Sequence, residues 1–253
     1  MVRRMQAIAV KNLSFNYDKQ AVFKNFDLDI VKGQFVTILG KNGSGKSTLA
    51  KIIYGDLKYK GQVFIYNELV CFKTILKIRK NISFVRDYYD EYSFNGTVLE
   101  ELLRFSSDKK KVYGLSKKLG IYDVLFEDSN LISLSEKKLL VLGISLLRKT
   151  SILILDNTFE GMNYNLKMKI IKMLKKNKIT VLNFTHDVED CLVSDKILNL
   201  NNNFYGSKEE LFDDSFDDFE LPFVVNLSYK LKFYDLIDTV YYDEKALVDD
   251  LWK

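Results

Sequence analysis

The stretch Gly40-Lys41-Asn42-Gly43-Ser44-Gly45-Lys46-Ser47 decides the fold. It fits the pattern G-x-x-x-x-G-K-[ST], with an apolar, β-branched run before it (residues 35–39) and a helical pattern after it (residues 47–54). Glycines let several backbone N–H groups converge on phosphate oxygens, and the following helix adds its partial positive N-terminus. The sequence therefore predicts a strand, a phosphate-binding loop and a helix in succession. The alternative is a tight glycine-rich turn that binds nothing.

A nucleoside triphosphate at this loop requires further polar residues. We expect Lys46 to contact the β- and γ-phosphates and the Ser47 hydroxyl to bind Mg²⁺. Thr48 is expected to be an additional contact to the nucleotide. A second metal anchor should be a carboxylate at the end of an apolar strand. Asp156 directly follows the run Ile152-Leu153-Ile154-Leu155 and fits that description. The sequence therefore predicts a site for a nucleoside triphosphate and Mg²⁺.

Composition excludes several classes of protein. The 253 residues include one proline and one histidine, Pro222 and His186, which rules out a proline-rich linker and a histidine-rich metal site. Cys71 and Cys191 are too few for a disulfide scaffold and lie in apolar stretches, so we expect them in the core. The net charge of +4 on 38 basic and 34 acidic residues does not indicate nucleic-acid binding. No apolar run reaches the roughly 18–20 residues of a membrane span.

The remaining pattern alternates between strands and helices. Strands are expected at residues 8–10, 13–15, 26–30, 35–39, 62–66, 151–156, 180–184 and 196–200. Helical patterns cover about residues 98–147, with breaks at Gly114 and Gly120, and about residues 166–175. This alternation predicts an α/β fold with a mixed, largely parallel sheet core, an inserted helical subdomain at about residues 98–147 and a small α-helical C-terminal extension.

The order of landmarks resembles the ATP-binding cassette (ABC) ATPases, a family of P-loop NTPases, over nearly the whole chain. Tyr17 precedes the loop, Leu134-Ser135 precedes Asp156, and Phe184-Thr185-His186-Asp187 follows it. The resemblance implies that Tyr17 stacks on adenine and that His186 is the switch histidine at the γ-phosphate. It also implies that Ser135 and Glu136 face the ATP of a second chain. The alternatives are a surface tyrosine at position 17 and an incidental histidine at position 186.

Other segments resemble one branch of that family, the ATPases of energy-coupling-factor (ECF) transporters. They are residues 81–87, 96–101, 206–212 and 221–227, the last of which contains Pro222 where that branch has a proline. The resemblance implies an ABC ATP-binding domain at residues 1–205 and an extension at residues 206–253 that helps two ATPase subunits to dimerise. An ordinary ABC importer ATPase is the alternative.

The chain departs from the family pattern in four motifs. Asn157 stands in place of the catalytic glutamate; asparagine can orient a water molecule but cannot accept its proton at neutral pH. Arg86 replaces a glutamine that senses Mg²⁺, and a guanidinium cannot bind a metal. Glu136 replaces a glycine of the signature, which reads Leu134-Ser135-Glu136-Lys137-Lys138. Asn163 stands where the family pattern has an aspartate.

These departures predict how the chain assembles. In ABC ATPases each nucleotide lies between the phosphate loop of one chain and the signature of the other, so a homodimer of this chain would have two defective sites. The resemblance therefore predicts a heterodimer with a second, more typical ABC ATPase. It further implies a multi-span transmembrane coupling subunit, a substrate-binding membrane subunit and a peripheral location on the cytoplasmic face of the cell membrane.

The activity has three possible readings from the sequence. The first is an importer ATPase that hydrolyses ATP weakly when alone, because Asn157 replaces the catalytic glutamate. The second is a nucleotide-binding, non-hydrolysing subunit of the same kind of complex. The third, an ABC protein acting on DNA or ribosomes, is disfavoured by the ECF-like tail. The transported substrate stays open between vitamins and transition-metal ions.

Overall fold

The computed structural model describes residues 5–18, 20–87, 93–213 and 216–252. Within these ranges the chain forms ten strands in two sheets. The strands are β1 Gln6–Tyr17, β2 Gln20–Val31, β3 Phe35–Leu39, β4 Lys60–Ile65, β5 Glu68–Leu69, β6 Ile82–Val85, β7 Ile152–Asp156, β8 Thr180–Thr185, β9 Lys196–Asn199 and β10 Phe204–Gly206. One sheet is antiparallel, in the order β2-β1-β4-β5. The other has the order β10-β9-β3-β8-β7-β6 and is parallel except for the β9–β10 pair.

The described helices cover both faces of the six-stranded sheet. They are α1 Lys46–Tyr54, α2 Ile75–Ile78, α3 Val98–Leu103, α4 Lys109–Leu119, α5 Leu134–Leu147, α6 Tyr164–Lys176, α7 Lys208–Leu211, α8 Phe223–Phe233 and α9 Glu244–Leu251, with a 3₁₀ helix at Val188–Val193. No described helix has the length and apolarity that crossing a membrane requires.

Alternating side chains of the parallel sheet divide the core into two layers. Ile38 and Leu182 pack with Leu49 and Ile53 of α1 and with the antiparallel sheet, so α1 lies between the two sheets. Leu153 and other residues on the opposite face pack against α3, α4, α5 and α6. Since successive strand residues point to opposite faces, one strand can supply both layers, and all five residues of β3 and of β7 are buried. Helices α1 and α5 therefore pack on opposite faces of this sheet.

The predicted α/β fold is confirmed, with differences in detail. The runs at residues 8–10 and 13–15 form one strand, β1, whose pairing is irregular around Asn12, where φ is 50°. The break predicted at Gly114 is wrong: the glycine lies inside α4, where the buried Val112, Ser116 and Leu119 fix the helix, and an interior glycine costs only about 1 kcal/mol. Helix α4 does end at Gly120, which adopts a left-handed φ of 75°.

The C-terminal segment has its own apolar cluster. Val224 and Val225 of α8 and Leu247 of α9 are buried against Leu39, Cys191 and their neighbours. The tail thus packs at the side of β9 and the 3₁₀ helix, close to the carboxyl end of β3. Cys191 is buried as expected, whereas Cys71 is only partly buried, so its expected place in the core is wrong.

Candidate nucleotide-binding site

The phosphate loop (residues 40–47) joins the carboxyl end of β3 to the N-terminus of α1. Gly43 and Gly45 have φ values of 81° and 96°, a left-handed conformation that glycine adopts without strain. A Cβ at Gly45 would lie 2.7 Å from the side chain of Val22 and 2.9 Å from that of Phe23. The second of the pattern's glycines is therefore required by backbone conformation and by its contact with β2.

Lys46 curls back over this loop. Its Nζ donates to the carbonyl oxygens of Gly40, at 2.6 Å, and Lys41, at 3.0 Å. Burial lowers the pKa of Lys46, and the charge of Asp156 partly opposes that change. The ammonium group is thus held at the centre of the loop, where it can exchange a carbonyl partner for a phosphate oxygen.

Asp156 ends β7 and meets the first residues of α1. Only 2% of the residue is exposed, and its Oδ1 has no hydrogen-bond partner in the described part of the chain. Burial raises the pKa of this carboxyl to about 6; the Ser47 hydroxyl lowers it, the Asp87 charge raises it, and Lys46 and Lys138 lower it. The structure therefore brings together Ser47 and Asp156, the pair predicted to hold a metal.

This pair of oxygen donors fits Mg²⁺. Mg²⁺ prefers hard oxygen ligands and is usually held by one or two protein groups, substrate phosphates and water. The unpartnered Oδ1 of Asp156 and the hydroxyl of Ser47 provide such donors beside the phosphate loop. The described residues contain no cluster of three or more His, Cys, Asp or Glu side chains that could hold a metal, so phosphate oxygens would have to complete the coordination.

Tyr17 lies beside the first turn of α1. It is the last residue of β1 and 49% exposed, and its ring contacts that of Phe15 edge-on, with 4.8 Å between centroids. The Thr48 hydroxyl donates to the Tyr17 hydroxyl at 3.4 Å. This contact ties the half-exposed tyrosine to α1.

Asn157 lies in a polar cluster that the sequence analysis missed. Its backbone is left-handed, with φ 43°, and its N–H donates to the Phe184 carbonyl at 3.0 Å. The side-chain Nδ2 donates to Asp87 Oδ2 at 3.1 Å. Lys138 Nζ donates to Asp87 Oδ1 at 2.6 Å and to the Asn157 carbonyl at 2.9 Å. Asp87 follows β6, the sheet neighbour of β7, so unrecognised strand adjacency is the signal that would have found it.

His186 follows the end of β8. Because Phe184 pairs with Asp156 in the sheet, the histidine lies beyond the same sheet edge as the metal-binding pair. Its side chain is 48% exposed, with Nε2 3.9 Å from Glu160 Oε1. The neighbouring Asp187 caps the 3₁₀ helix by accepting from Glu189 N–H. The half-exposed imidazole thus lies at the sheet edge that carries Asp156.

The signature segment (residues 134–138) begins helix α5. Ser133 and Glu136 form a capping box: Ser133 Oγ accepts from Glu136 N–H at 3.3 Å, and Glu136 Oε2 accepts from Ser133 N–H at 2.8 Å. A carboxylate of the chain itself therefore lies at the N-terminus of α5. Since α1 and α5 pack on opposite faces of the parallel sheet, the structure does not join Ser135 and Glu136 to the phosphate loop.

The other two departures have structural roles. Arg86 pairs with Asp56 at 2.6 Å, and its guanidinium lies 4.5 Å from the centroid of the Phe84 ring. Asn163 caps α6 by accepting from the N–H groups of Asn165 and Leu166 at 3.0 and 3.4 Å. An asparagine is as good a cap as the expected aspartate, so this departure leaves the helix start intact.

A glycine-rich strand–loop–helix with a central lysine, beside a serine and a strand-end aspartate, defines the class of P-loop nucleotide-binding proteins. Comparison with known proteins narrows the class. The family model described as ABC transporter matches residues 23–160, more than half of the chain. The chain belongs to the ABC transporter family.

Its relatives include ATP-binding proteins of ECF transporters, which confirms the predicted resemblance. EcfA1 of Leuconostoc mesenteroides is 26% identical over 266 residues, covering 96% of this chain and 97% of that protein. EcfA of Malacoplasma penetrans is 26% identical over 273 residues, covering 99% and 94%. The solved structure of cbiO1 from Clostridium perfringens, part of the ABC transporter complex cbiONQ, has a TM-score of 0.71 at 24% identity, covering 90% and 95%. This last likeness shows the shared fold.

Proposed function

We propose that this chain is the ATP-binding subunit of an ECF-type ABC importer and couples ATP binding and hydrolysis to substrate uptake. It would be peripheral on the cytoplasmic face of the membrane, bound to a second ABC ATPase, a multi-span coupling subunit and a substrate-binding membrane subunit. The observation that carries the proposal is the arrangement of Lys46, Ser47 and Asp156 around one loop. The ECF names of the relatives support the transport context.

Each residue of the site then has a role in binding ATP. Tyr17 stacks on the adenine, and the backbone N–H groups of residues 40–47 bind the phosphates, with Thr48 supporting the ring of Tyr17. Lys46 gives up its contacts with Gly40 and Lys41 and binds the β- and γ-phosphates. Mg²⁺, held by Ser47 and Asp156, would neutralise phosphate charge. His186 donates a hydrogen bond to the γ-phosphate.

Hydrolysis by this chain alone should be slow. Asn157 can orient a water molecule through its amide, but an amide does not remove a proton at neutral pH. Loss of the general base at this position typically costs 10²–10⁴-fold in rate unless another carboxylate takes its place. We therefore expect weak ATPase activity from the isolated chain and faster ATP hydrolysis in the complex with the partner ATPase.

The capping box at α5 supports the pairing with a different ATPase. In the homodimer, the γ-phosphate of each ATP would meet the Glu136 carboxylate of the other chain, and like charges at close range repel. In a heterodimer, the ATP bound to this chain would instead meet an intact signature. The domain boundaries proposed from the sequence assign the dimer contact to residues 206–253, where Phe233 and Trp252 are 80% and 86% exposed.

An ATPase assay of the purified chain, with and without its partner, tests this proposal. The chain alone should bind ATP, remain largely monomeric and turn over well below about 1 s⁻¹, the lower end of ordinary enzyme turnover. Adding the partner should produce a complex and raise turnover. A homodimer of this chain that hydrolyses ATP at 1 s⁻¹ or faster would contradict the heterodimer.

The second candidate function is a nucleotide clamp that binds ATP without hydrolysing it. The substitution at Asn157 and the carboxylate of Glu136 favour it, because both weaken chemistry and spare the phosphate loop. A single-turnover experiment separates the two functions: the clamp leaves bound ATP intact over hours, whereas a slow ATPase converts it to ADP.

A further inference from the structure

Asp87, Lys138 and Asn157 form a compact polar cluster at the carboxyl edge of the parallel sheet. Strands β6 and β7 are neighbours, and Val85 is in register with Leu155. The residues that follow each strand therefore emerge side by side, which places the Asp87 carboxylate against the Asn157 amide at 3.1 Å. The charge of Asp87 also acts on Asp156, so the cluster adjoins the metal-binding pair.

The cluster holds a carboxylate in a defined position without enclosing it. Lys138 is 6% exposed, and its ammonium group fixes one Asp87 oxygen at 2.6 Å. The Asn157 amide fixes the other oxygen. Each carboxylate oxygen can accept two hydrogen bonds, so both retain capacity, and 26% of the Asp87 side chain is exposed. Asn157 Oδ1 has no partner among the described residues.

We propose that Asp87 supplies the carboxylate that Asn157 lacks and acts as the general base for ATP hydrolysis at this chain's site. The site thus has one carboxylate, after β6, and one amide, after β7. The inference deepens the proposed ATPase function and rests on it. Lys138 and Asn157 are positioning residues, because they act through the Asp87 carboxylate.

The step conserves atoms and charge. A water molecule donates one hydrogen bond to Asp87, and its oxygen forms a bond to the γ-phosphorus. The bond between that phosphorus and the β–γ bridging oxygen breaks, and ADP leaves with the electron pair. The water proton passes to the Asp87 carboxylate and then to phosphate or solvent. No oxidant, reductant or co-reactant other than water takes part.

The structural alternative is that Asp87 only pairs with Lys138 to hold α5 against the sheet. The chain contains a matched control for that role: Glu68 pairs with Lys77 at 2.9 Å, and 30% of its side chain is exposed. Both carboxylates therefore have one lysine partner and similar exposure. Only Asp87 adjoins the phosphate site, so only its amidation should affect chemistry.

The test is a carboxylate–amide exchange, read by single-turnover conversion of γ-labelled ATP with the full chain in excess and Mg²⁺ present. Asp87→Asn should lower the rate by at least about 100-fold and leave the Kd for ATP within threefold. The double variant Asp87→Asn/Asn157→Glu should recover to within tenfold of the wild type, since it restores one carboxylate and one amide. Asp87→Glu should retain part of the rate, and Glu68→Gln should retain all of it.

Recovery of the rate by the double variant is the readout that a purely structural ion pair would not give, because that variant does not restore the Asp87–Lys138 pair. The proposal is overturned if Asp87→Asn keeps its rate within threefold, or if the double variant is no faster than Asp87→Asn. It is also overturned if wild-type chain binds ATP but forms no ADP. Failure to bind ATP would instead refute the proposed function.

Discussion

The phosphate loop and the signature segment both lead into helix N-termini, and those two ends differ in charge. Helix α1 has Gly45 as its N-cap residue, so no side chain caps it, and its first turn has no acidic residue. Helix α5 begins with the Ser133–Glu136 capping box and carries a carboxylate there. An open N-terminus attracts a phosphate, whereas a carboxylate at the same place repels one. The N-terminus of α1 is therefore open to an anion, whereas a carboxylate of the chain already lies at that of α5.

The largest effect should come from a substitution in the phosphate loop, at the uncapped N-terminus of α1. Replacing Lys46 with alanine removes the cation at the centre of the loop. It also removes the hydrogen bond that the Lys46 ammonium group donates to the Gly40 carbonyl. We expect the Kd for ATP to rise about 10- to 150-fold, since a hydrogen bond to a charged group contributes about 1.5–3 kcal/mol. Isothermal titration calorimetry measures the change.

A surface lysine provides the control for this measurement. Lys77, 73% exposed at its side chain, forms only a peripheral pair with Glu68, so Lys77→Ala should leave ATP affinity unchanged. If Lys46→Ala bound ATP as tightly as the wild type, the loop would not be the nucleotide site, and the open N-terminus of α1 would have no role in binding ATP.

The second prediction concerns Asp156, which is buried for function at a cost in stability. Its pKa of about 6 exceeds the ordinary 3.8, so the ionised carboxylate is disfavoured in the folded, ligand-free chain. Asp156→Asn should raise the free energy of unfolding at pH 7 by about 1–2 kcal/mol and abolish Mg²⁺-dependent hydrolysis. Denaturant titration measures the first effect. The exposed Asp123→Asn is the control and should change neither quantity.

Much of this open end was predictable from sequence, because its residues are adjacent along the chain. The local pattern alone predicts strand β3 and helix α1 around residues 40–47, and strand β7 ending at Asp156. Asp87 and Lys138 were not predictable, because they meet Asn157 only through the β6–β7 pairing and the packing of α5. Strand β6 has only four residues, which is too short for an alternating sequence pattern to indicate a strand.

The third prediction is the pH dependence of folding stability in the absence of nucleotide. The Asp156 carboxyl binds its proton more tightly in the folded chain than in the unfolded one. Its contribution therefore falls as pH rises from about 3.8 to about 6 and stays low above that range. Other carboxylates add their own slopes, so the measurement is the difference between wild type and Asp156→Asn. The stability advantage of the variant should grow across that window; an advantage independent of pH would contradict the raised pKa.

The smallest effect is expected at the N-terminus of α5, where substitutions of Glu136 separate the effect of its charge from that of its capping hydrogen bond. Glutamine can replace glutamate in a capping box, so Glu136→Gln should keep the bond to Ser133 N–H and change stability by less than about 0.5 kcal/mol. Glu136→Ala loses that bond and should lower the free energy of unfolding by about 0.5–1 kcal/mol.

Removing the charge relieves repulsion of the opposing γ-phosphate by about 0.3–1 kcal/mol, so ATP-dependent self-association of Glu136→Gln should tighten about two- to fivefold. Sedimentation equilibrium with and without ATP measures this association. Equal self-association of the wild type and Glu136→Gln would mean that charge does not limit this surface, and that the heterodimer must be explained by shape.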